Sequence, residues 1–204
     1  DWKVLTNKCR VCGNKRFKKI FSLGEQPLAN NLLKKPKRSP SFPLVLIQCE
    51  HCRLIQLSFV ASKIKLYRNY FYIPSVSKTH LLHFEKLAES LILDCNLRKN
   101  DLVVDVGASD GSLLKCFEKR GMKVVGIEPA LNIKSQVKTY REFFSPALSA
   151  RIKANHGRAK LITATNSFAH INNLHKYLEA LDVLLDKDGV FFAQFPDVRN
   201  LLKE

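Results

Sequence analysis

The spacing of hydrophobic residues changes near residue 75 and divides the chain into two parts. Between residues 77 and 96, apolar side chains recur every three or four positions, which predicts one long helix. Beyond it, short apolar runs predict strands near 102–106, 123–127, 160–165 and 189–195, alternating with helices near 111–120, 130–138, 146–156 and 172–186. This alternation predicts an α/β fold, a doubly wound parallel sheet with helices on both faces.

The first 75 residues lack this periodicity and are interrupted by turn-forming residues. Gly, Pro and Asn recur at 12–14, 23–31 and 34–40, so we expect small strands and loops there. The predicted organisation is a small domain over 1–75, a linker helix over 76–98 and the α/β domain over 99–204.

Four cysteines of the first part form two CxxC pairs, Cys9 with Cys12 and Cys49 with Cys52. A CxxC turn directs two thiolates at one ion, and two such turns supply the four ligands of a tetrahedral zinc site. Paired disulfides and four unrelated buried thiols are the alternatives. A structural Zn²⁺ bound by all four cysteines is the favoured interpretation. Cys95 and Cys116 lie in apolar helical stretches and are interpreted as core residues.

A glycine turn follows the strand predicted near 102–106. Its pattern is DxGxxxG, formed by Asp105, Gly107 and Gly111, and the spacing differs from the GxGxxG of most dinucleotide folds. It therefore favours S-adenosylmethionine over NAD. Glu128 follows the next strand, where a carboxylate suits the two hydroxyls of a ribose. A strand-end cap and a solvated loop acid are the alternatives for Asp105 and Glu128. The predicted cofactor-binding residues are Asp105, Gly107, Asp110, Gly111, Glu128 and, at the end of the strand near 160–165, Asn166.

Several ordered motifs extend this pattern along nearly the whole chain. They are CRVCG at 9–13, LGEQPLAN at 23–30, CEHCRLIQL at 49–57, YFYIPSVS at 70–77, DVGASDGSLL at 105–114, GIEPA at 126–130, TATNSFAHINNL at 163–174 and LLDKDGVFFAQFP at 184–196. With these motifs the chain resembles the S-adenosylmethionine-dependent C-methyltransferases of deoxysugar biosynthesis. In that family a zinc-binding domain precedes a class I methyltransferase fold, which is Rossmann-like.

The resemblance implies a substrate and three catalytic residues. The expected substrate is a nucleotide-linked 4-keto deoxysugar, methylated beside the ketone through an enolate. His170 matches the active-site histidine of the family and would act as a base or polarise the keto oxygen. Tyr70 and Tyr72 occupy a tyrosine-rich segment that reaches the active site, although packing between domains is an alternative for them. The family often carries glutamate where this chain has Gln194.

The resemblance also implies that the chain corresponds to an N-terminal portion of the family. The family continues beyond the equivalent of Glu204 with a His-Glu-His motif and a large C-terminal domain. We therefore expect a sheet lacking its last strands, with the missing half either later in the polypeptide or in a partner subunit. Residues 132–144 are also too few for a full helix and a following strand.

The positive charge is concentrated in the first part of the chain. The formal net charge is +16, and residues 1–70 hold 15 Lys or Arg against 3 Asp or Glu. A solvated basic face explains this most simply. We also considered a diphosphate contact near residues 25–40, with Lys34 and Lys35 as candidates.

Two other functions remain open, a zinc-ribbon RNA methyltransferase and a non-catalytic remnant that binds cofactor. Phe17, Phe21 and Phe42 beside the basic residues motivate the RNA alternative, but nucleic acid is not the expected partner because no Asn-Pro-Pro-Tyr-type motif occurs. No apolar run approaches a membrane span and no signal pattern is visible, so a cytoplasmic protein without membrane contact is expected.

Overall fold

The computed structural model describes residues 3–29, 33, 35 and 38–197. The chain forms two compact units. The first unit comprises Asp1–Phe71 with Asn172–Leu174, and the second comprises Tyr72–Ile171 with His175–Glu204. Lys34, predicted to contact a diphosphate, lies outside the described residues, as does the end of the predicted α/β domain over 198–204.

The first unit is built from short antiparallel strands, as its turn-rich sequence predicts. Its elements are β1 (Lys3–Leu5), β2 (Phe17–Pro27), β3 (Ser41–Cys49), β4 (Ile55–Leu57), β5 (Phe59–Ala61) and the short helix α1 (Lys63–Tyr67). β3 lies between β2 and β4, while β1 pairs with β5. Phe42 and Phe59 stack with ring centroids 4.9 Å apart in a small hydrophobic cluster. So small a core makes an additional cross-link, such as a metal, energetically important.

The second unit contains a five-stranded parallel sheet. Its elements are α2 (Lys78–Asp94), β6 (Leu102–Val106), α3 (Ser112–Glu118), β7 (Lys123–Ile127), β8 (Thr139–Tyr140), α4 (Pro146–His156), β9 (Ala159–Thr165), α5 (Leu174–Leu184) and β10 (Leu185–Gln194). The strand order is β10-β9-β6-β7-β8. The chain therefore reverses its winding direction between β6 and β9. In such sheets ligands bind outside the carboxyl ends of the strands at this reversal.

Apolar residues cover both faces of the sheet. On one face Val103 packs with Phe84 and Leu91 of α2 and Phe117 of α3. On the other face Val104 belongs to the cluster formed by α4 and α5. The central strands β6 and β9 are thus buried on both sides, which explains their mostly apolar sequences. The predicted doubly wound parallel sheet is confirmed.

Helix α2 fulfils the prediction made for residues 77–96. The Ser77 side chain accepts a hydrogen bond from the His80 backbone N–H at 3.3 Å and caps its start. Phe84, Ala88 and Leu91 form its buried stripe. Within the part of the chain that the structure describes, no helix combines the length and apolarity needed to cross a membrane.

The helix predicted over 130–138 is wrong, because residues 131–138 form turns and irregular backbone before β8. The Arg141 guanidinium donates to the Ala130 and Ile133 carbonyls at 3.0 and 2.6 Å, occupying acceptors that a helix would use internally. The Gln136 backbone N–H donates instead to the Asp110 carbonyl at 2.8 Å. The absence of a helix before the two-residue β8 agrees with the expectation that residues 132–144 are too few for a full helix and a following strand.

Candidate metal centre and cofactor site

The four predicted zinc ligands converge in the first unit. The sulfurs of Cys9, Cys12, Cys49 and Cys52 all lie within 4.8 Å of one another. The Cys9 and Cys52 sulfurs are 3.4 Å apart, and those of Cys12 and Cys49 are 3.6 Å apart. A tetrahedron with zinc–sulfur bonds of about 2.3 Å has sulfur–sulfur edges of about 3.8 Å. The paired sulfurs lie well beyond the disulfide bond length of about 2.05 Å, so the arrangement fits a zinc ion better than the disulfide alternative.

Each CxxC pair is held by the same backbone turn. The Gly13 N–H donates to the Cys9 carbonyl and the Arg53 N–H to the Cys49 carbonyl, both at 3.0 Å. Gly13 and Arg53 both adopt positive φ, at 73° and 65°. The two turns therefore present their thiols in equivalent geometry, although only one has the glycine that this conformation favours.

The glycine turn of the second unit follows β6 and lies at the carboxyl edge of the sheet. The Gly107 and Ala108 N–H groups both donate to the Ile127 carbonyl, at 2.8 and 3.1 Å. Gly107 has a φ of 86°, and a Cβ atom there would lie 2.7 Å from the Ser167 Cβ. Ser167 follows β9, and its hydroxyl donates to the Val106 carbonyl. Gly107 thus allows the turns after β6 and β9 to pack in direct contact at the reversal of the sheet.

We expect Gly107→Ala to destabilise the second unit by about 2 kcal/mol or more, because the new side chain combines a strained φ with a steric clash. Thermal unfolding followed by circular dichroism measures the loss. Gly157→Ala is the matched control, since Gly157 also has a positive φ, 88°, but a Cβ atom there would have no neighbouring atom within 4 Å. An equal loss in both variants would refute the role of close packing.

Glu128 lies directly after β7 and is only 6% exposed. Its Oε2 accepts from the Ser109 N–H at 2.9 Å and its Oε1 from the Ala130 N–H at 2.8 Å. Burial raises the pKa of Glu128, while these backbone hydrogen bonds oppose the shift. Because a carboxylate has about four acceptor positions, it can hold the turn and still accept from two ribose hydroxyls. Glu128 therefore fits the cofactor contact predicted for it.

Asp110 and Gly111 shape the start of α3. The Asp110 Oδ1 accepts from the Ser112 hydroxyl at 2.7 Å and from the Ser112 N–H at 3.1 Å. Its Oδ2 accepts from the Ser75 N–H at 3.2 Å. Gly111 has a φ of 80° and packs against Val137 and Ser135. Both residues lie in the turn between β6 and α3, and direct contact with a cofactor stays a prediction for them.

Asp105 is buried inside the sheet, with 2% of its surface exposed. The Thr163 hydroxyl of β9 donates to its Oδ1 at 2.7 Å. Burial raises the pKa of Asp105 to about 7; the Thr163 hydrogen bond opposes this shift and the charge of Glu128 adds to it. The Asp105 carboxyl group therefore links β6 to β9, close to the glycine turn that follows β6. Its predicted contact with a cofactor is not tested by this geometry.

The raised pKa predicts how Asp105 affects stability. Between its ordinary pKa near 3.8 and about 7, the folded state holds a proton that the unfolded chain has released. The contribution of Asp105 to stability must then fall as pH rises through this range and level off above it. Asp105→Asn keeps the acceptor for Thr163 and removes the titration. In urea unfolding measured from pH 4 to 8, the variant should become more stable relative to the wild type as pH rises. Parallel plots of unfolding free energy against pH for the two proteins would contradict the raised pKa.

Asn166 and His170 follow β9 at the same edge of the sheet. Asn166 is exposed with a φ of 54°, and its N–H donates to the Gln194 carbonyl at 2.7 Å. His170 ends a short 3-10 turn, Phe168–His170. Although His170 is exposed as a residue, desolvation lowers the pKa of its imidazole from the ordinary value. A neutral imidazole can accept a proton, so the predicted role as a base is chemically consistent.

The two predicted tyrosines belong to different units. Tyr70 lies in the first unit with its ring 5.9 Å from that of Tyr67. Tyr72 lies in the second unit, where its carbonyl accepts from the Ser109 hydroxyl at 3.2 Å.

Three further residues of the site, Ser75, Ser109 and Thr163, were not predicted from the sequence. Their roles depend on hydrogen bonds across 35 to 58 positions of the chain, which no local pattern reveals. The positive φ of Ser109, 50°, could have been suspected from its place in a glycine-rich turn.

Comparison with known families agrees with both halves of this description. Residues 81–203 match a family model described as "Methyltransferase domain", and residues 9–67 match one described as "Putative zinc binding domain". The chain therefore belongs to the methyltransferase domain family. Its fold is that of a class I methyltransferase domain, and a zinc-binding domain precedes it.

Among curated proteins, the chain is similar to the C-methyltransferase NovU of Streptomyces niveus. The two are 33% identical over 205 residues, which cover 97% of this chain and 49% of NovU. The chain thus spans about half the length of this relative.

The similarity to solved structures is more distant. PH0226 of Pyrococcus horikoshii OT3 is 18% identical with a TM-score of 0.46, covering 62% of this chain and 59% of that chain. The plantazolicin methyltransferase BpumL, in complex with a pentazolic desmethylPZN analog and SAH, is 17% identical with a TM-score of 0.44, covering 61% of this chain and 50% of that chain.

Proposed function

We propose that this chain forms the zinc-binding and cofactor-binding part of a C-methyltransferase that acts on a nucleotide-linked 4-keto deoxysugar through an enolate. The observation that carries the proposal is Glu128, a buried carboxylate beside the glycine turn at the reversal of the sheet. Its position fits the ribose of S-adenosylmethionine. The similarity to NovU favours carbon as the atom methylated.

The cofactor supplies an electrophilic methyl group when bound. Asp105, Gly107, Asp110, Gly111, Glu128 and Asn166 are proposed to form its site. Glu128 would orient the ribose, while the close contact between Gly107 and Ser167 shapes the crevice floor. The residues of the turn thus fix where the methyl group is presented.

The remaining residues would act on the sugar. The carbon beside a ketone is weakly acidic, so a base must remove its proton while a hydrogen-bond donor stabilises charge on the keto oxygen. His170, with its lowered pKa, is proposed as the base. Tyr72, and Tyr70 of the first unit, are proposed as hydrogen-bonding groups for the substrate.

The zinc ion has a structural role in this proposal. Four thiolates complete its tetrahedral coordination and leave no position for substrate or water. A site of four thiolates needs cysteines that stay reduced, so the proposal also includes a cytoplasmic location.

Calorimetric titration with S-adenosylhomocysteine, followed by a thymidine-diphosphate-linked 4-keto-6-deoxyglucose, tests the proposal. We expect the zinc-loaded chain to bind both. Methyl transfer from S-adenosylmethionine would then be detected by mass spectrometry of the sugar. Binding of the cofactor product alone would favour a non-catalytic remnant, and salt-dependent binding of single-stranded RNA would favour the RNA methyltransferase alternative.

A further inference from the structure

The first unit has an open cleft that the sequence did not predict as a binding site. Its volume is about 250 Å³, and all of its lining residues belong to this unit. We call it the Arg10 cleft, and it is lined by Thr6, Asn7, Lys8, Cys9, Arg10, Asn172 and Asn173. Pockets for drug-sized ligands measure about 300–1,000 Å³, so the Arg10 cleft suits a small ion or one group of a larger ligand.

The side chains of the Arg10 cleft are rich in hydrogen-bond donors and positive charge. Three asparagines and a threonine supply neutral donors, Lys8 and Arg10 are cationic, and no Asp or Glu lines the cleft. Among the described residues, neither cation forms an ion pair with a carboxylate. This set of groups favours an anion.

Arg10 is the central group because it is partly buried. Its Nη2 donates to the Leu57 carbonyl at 3.4 Å, and its Nε is buried with no hydrogen-bond partner in the described part of the chain. The protein thus provides an acceptor for only one of the five N–H groups of the guanidinium. Burial of a charge with so few partners is costly, and a bound anion would offset that cost.

The backbone between Thr6 and Arg10 is held in place by the neighbouring strands. Gln56 of β4 is 5% exposed; its Oε1 accepts from the Arg10 N–H at 3.1 Å and its Nε2 donates to the Lys8 carbonyl at 3.3 Å. The Thr6 N–H donates to the Ser58 carbonyl at 3.0 Å. The two cationic side chains therefore extend from an ordered segment, and a ligand need not order that segment on binding.

The zinc centre is the alternative partner for the two cations. A Zn²⁺ ion with four thiolates has a formal charge of about −2, and Cys9 lies between Lys8 and Arg10 in the sequence. This charge lowers the +12 of residues 1–70 only to +10. The first unit therefore keeps enough positive charge to bind an anion as well as the metal.

The sequence position of Asn172 indicates which anion the cleft would bind. Asn172 follows the proposed base, His170, by two positions, so their Cα atoms are at most about 7 Å apart. A diphosphate has one negative charge on each phosphate when it links a nucleoside to a sugar, which matches the two cations. Arginine also binds phosphate oxygens through two parallel hydrogen bonds.

Resting on the function proposed above, we propose that the Arg10 cleft binds the diphosphate of the nucleotide-linked substrate, with Arg10 and Lys8 as its charged contacts and Asn172 as a hydrogen-bond donor. The site differs from the loop over 25–40, where Lys34 and Lys35 were the candidates. Because the contacts are made to the diphosphate, free inorganic diphosphate should bind in the same place.

Calorimetry with thymidine diphosphate tests this site in the zinc-loaded chain and needs no turnover. Arg10→Gln and Lys8→Gln each remove one positive charge and keep a polar side chain. We expect the Kd to rise about 10- to 100-fold in Arg10→Gln and about tenfold in Lys8→Gln, because each loses charge-assisted contacts. Lys18→Gln is the matched control, since Lys18 is exposed on β2 and does not line the cleft. Its Kd should stay within about twofold of the wild type at physiological salt.

Amide correlation spectra in nuclear magnetic resonance locate the bound anion without any variant. Inorganic diphosphate should shift the backbone signals between Thr6 and Arg10 and the side-chain amide signals of Asn7 and Asn172. The side-chain signal of Asn155, which lies in α4 of the second unit, should stay in place. Shifts confined to other residues would show that the anion binds elsewhere, and the inference would fail.

Zinc content distinguishes anion binding from support of the metal centre. Arg10→Lys keeps the charge but loses the paired hydrogen bonds, so it should keep one zinc per chain and bind thymidine diphosphate with an affinity between those of Arg10→Gln and the wild type. If Lys8 and Arg10 only balance the thiolates, Arg10→Gln loses zinc, and diphosphate leaves the signals of the wild-type cleft unchanged. That result would overturn the inference.

The outcomes separate this inference from the proposed function. Weaker binding in Arg10→Gln and Lys8→Gln, with zinc retained and cleft signals shifted, supports the inference. Binding that is weakened by Lys35→Gln but not by the cleft variants assigns the diphosphate to the loop, which overturns the inference and leaves the proposed function intact. Absence of thymidine diphosphate binding by the wild type also overturns the inference, and the titrations with S-adenosylhomocysteine and the keto sugar then decide the proposed function separately.

Discussion

Cys49→Ser is expected to abolish tight zinc binding and to unfold the first unit. Cys49 is completely buried at the end of β3 and is one of four converging thiols. Structural zinc contributes about 10–16 kcal/mol of apparent binding free energy in small domains, which is folding free energy when no preformed site exists in the unfolded chain. The small cluster around Phe42 and Phe59 offers no comparable stabilisation.

A colorimetric assay of bound zinc after gel filtration measures the loss of the metal. Limited proteolysis mapped to residues 1–71 measures the unfolding of the first unit. Chelation of the wild type should give the same cleavage pattern. Cys95→Ser is the control, because Cys95 lies outside the cluster and should keep one zinc per chain. A Cys49→Ser variant with wild-type zinc affinity would contradict the tetrahedral site.

Glu128→Gln is expected to weaken binding of S-adenosylhomocysteine about 100-fold or more. Two charge-assisted hydrogen bonds to the ribose would be lost, each worth about 1.5–3 kcal/mol. In addition, the new amide group would point a donor at the N–H of Ser109 or Ala130. Calorimetry measures the affinity, and Glu142→Gln is the control because Glu142 is about half exposed and ion-paired with Arg151.

A ligand variant separates the contact with the ribose from damage to the turn. Removing the 2′-hydroxyl of S-adenosylhomocysteine should cost the wild type at least about tenfold in affinity and should cost Glu128→Gln little, because the partner is already lost. An equal cost in both proteins would show that Glu128 only holds the turn.

Sequence patterns were informative where one physical rule determined the structure. Strands buried on both faces are continuous apolar runs, so β6, β7 and β9 were located within a residue or two. The CxxC spacing identified all four converging thiols, since the two turns need only local geometry. The glycine turn was found because positive φ at Gly107 and Gly111 requires that residue type.

The remaining features depend on contacts that local patterns do not encode. The helix expected over 130–138 failed because Arg141, farther along the chain, takes the Ala130 and Ile133 carbonyls. The predicted apolar stripe of α2 located that helix but carried no information about His80 and His83. Their partners, Tyr72 and Gln194, are 8 and 111 positions away, and only the folded structure brings them together.

The Asp110 carboxylate has a consequence for the local dynamics of the second unit. It joins Ser112 at the start of α3 to the backbone N–H of Ser75, while Ser109 holds the Tyr72 carbonyl. The segment over 72–75 therefore opens only when the turn over 109–112 loses these bonds, so the two behave as one cooperative opening unit. In native-state hydrogen exchange, the amides of Ser75, Ser109 and Ser112 should exchange with a common free energy of opening, which a ligand of the turn would raise for all three.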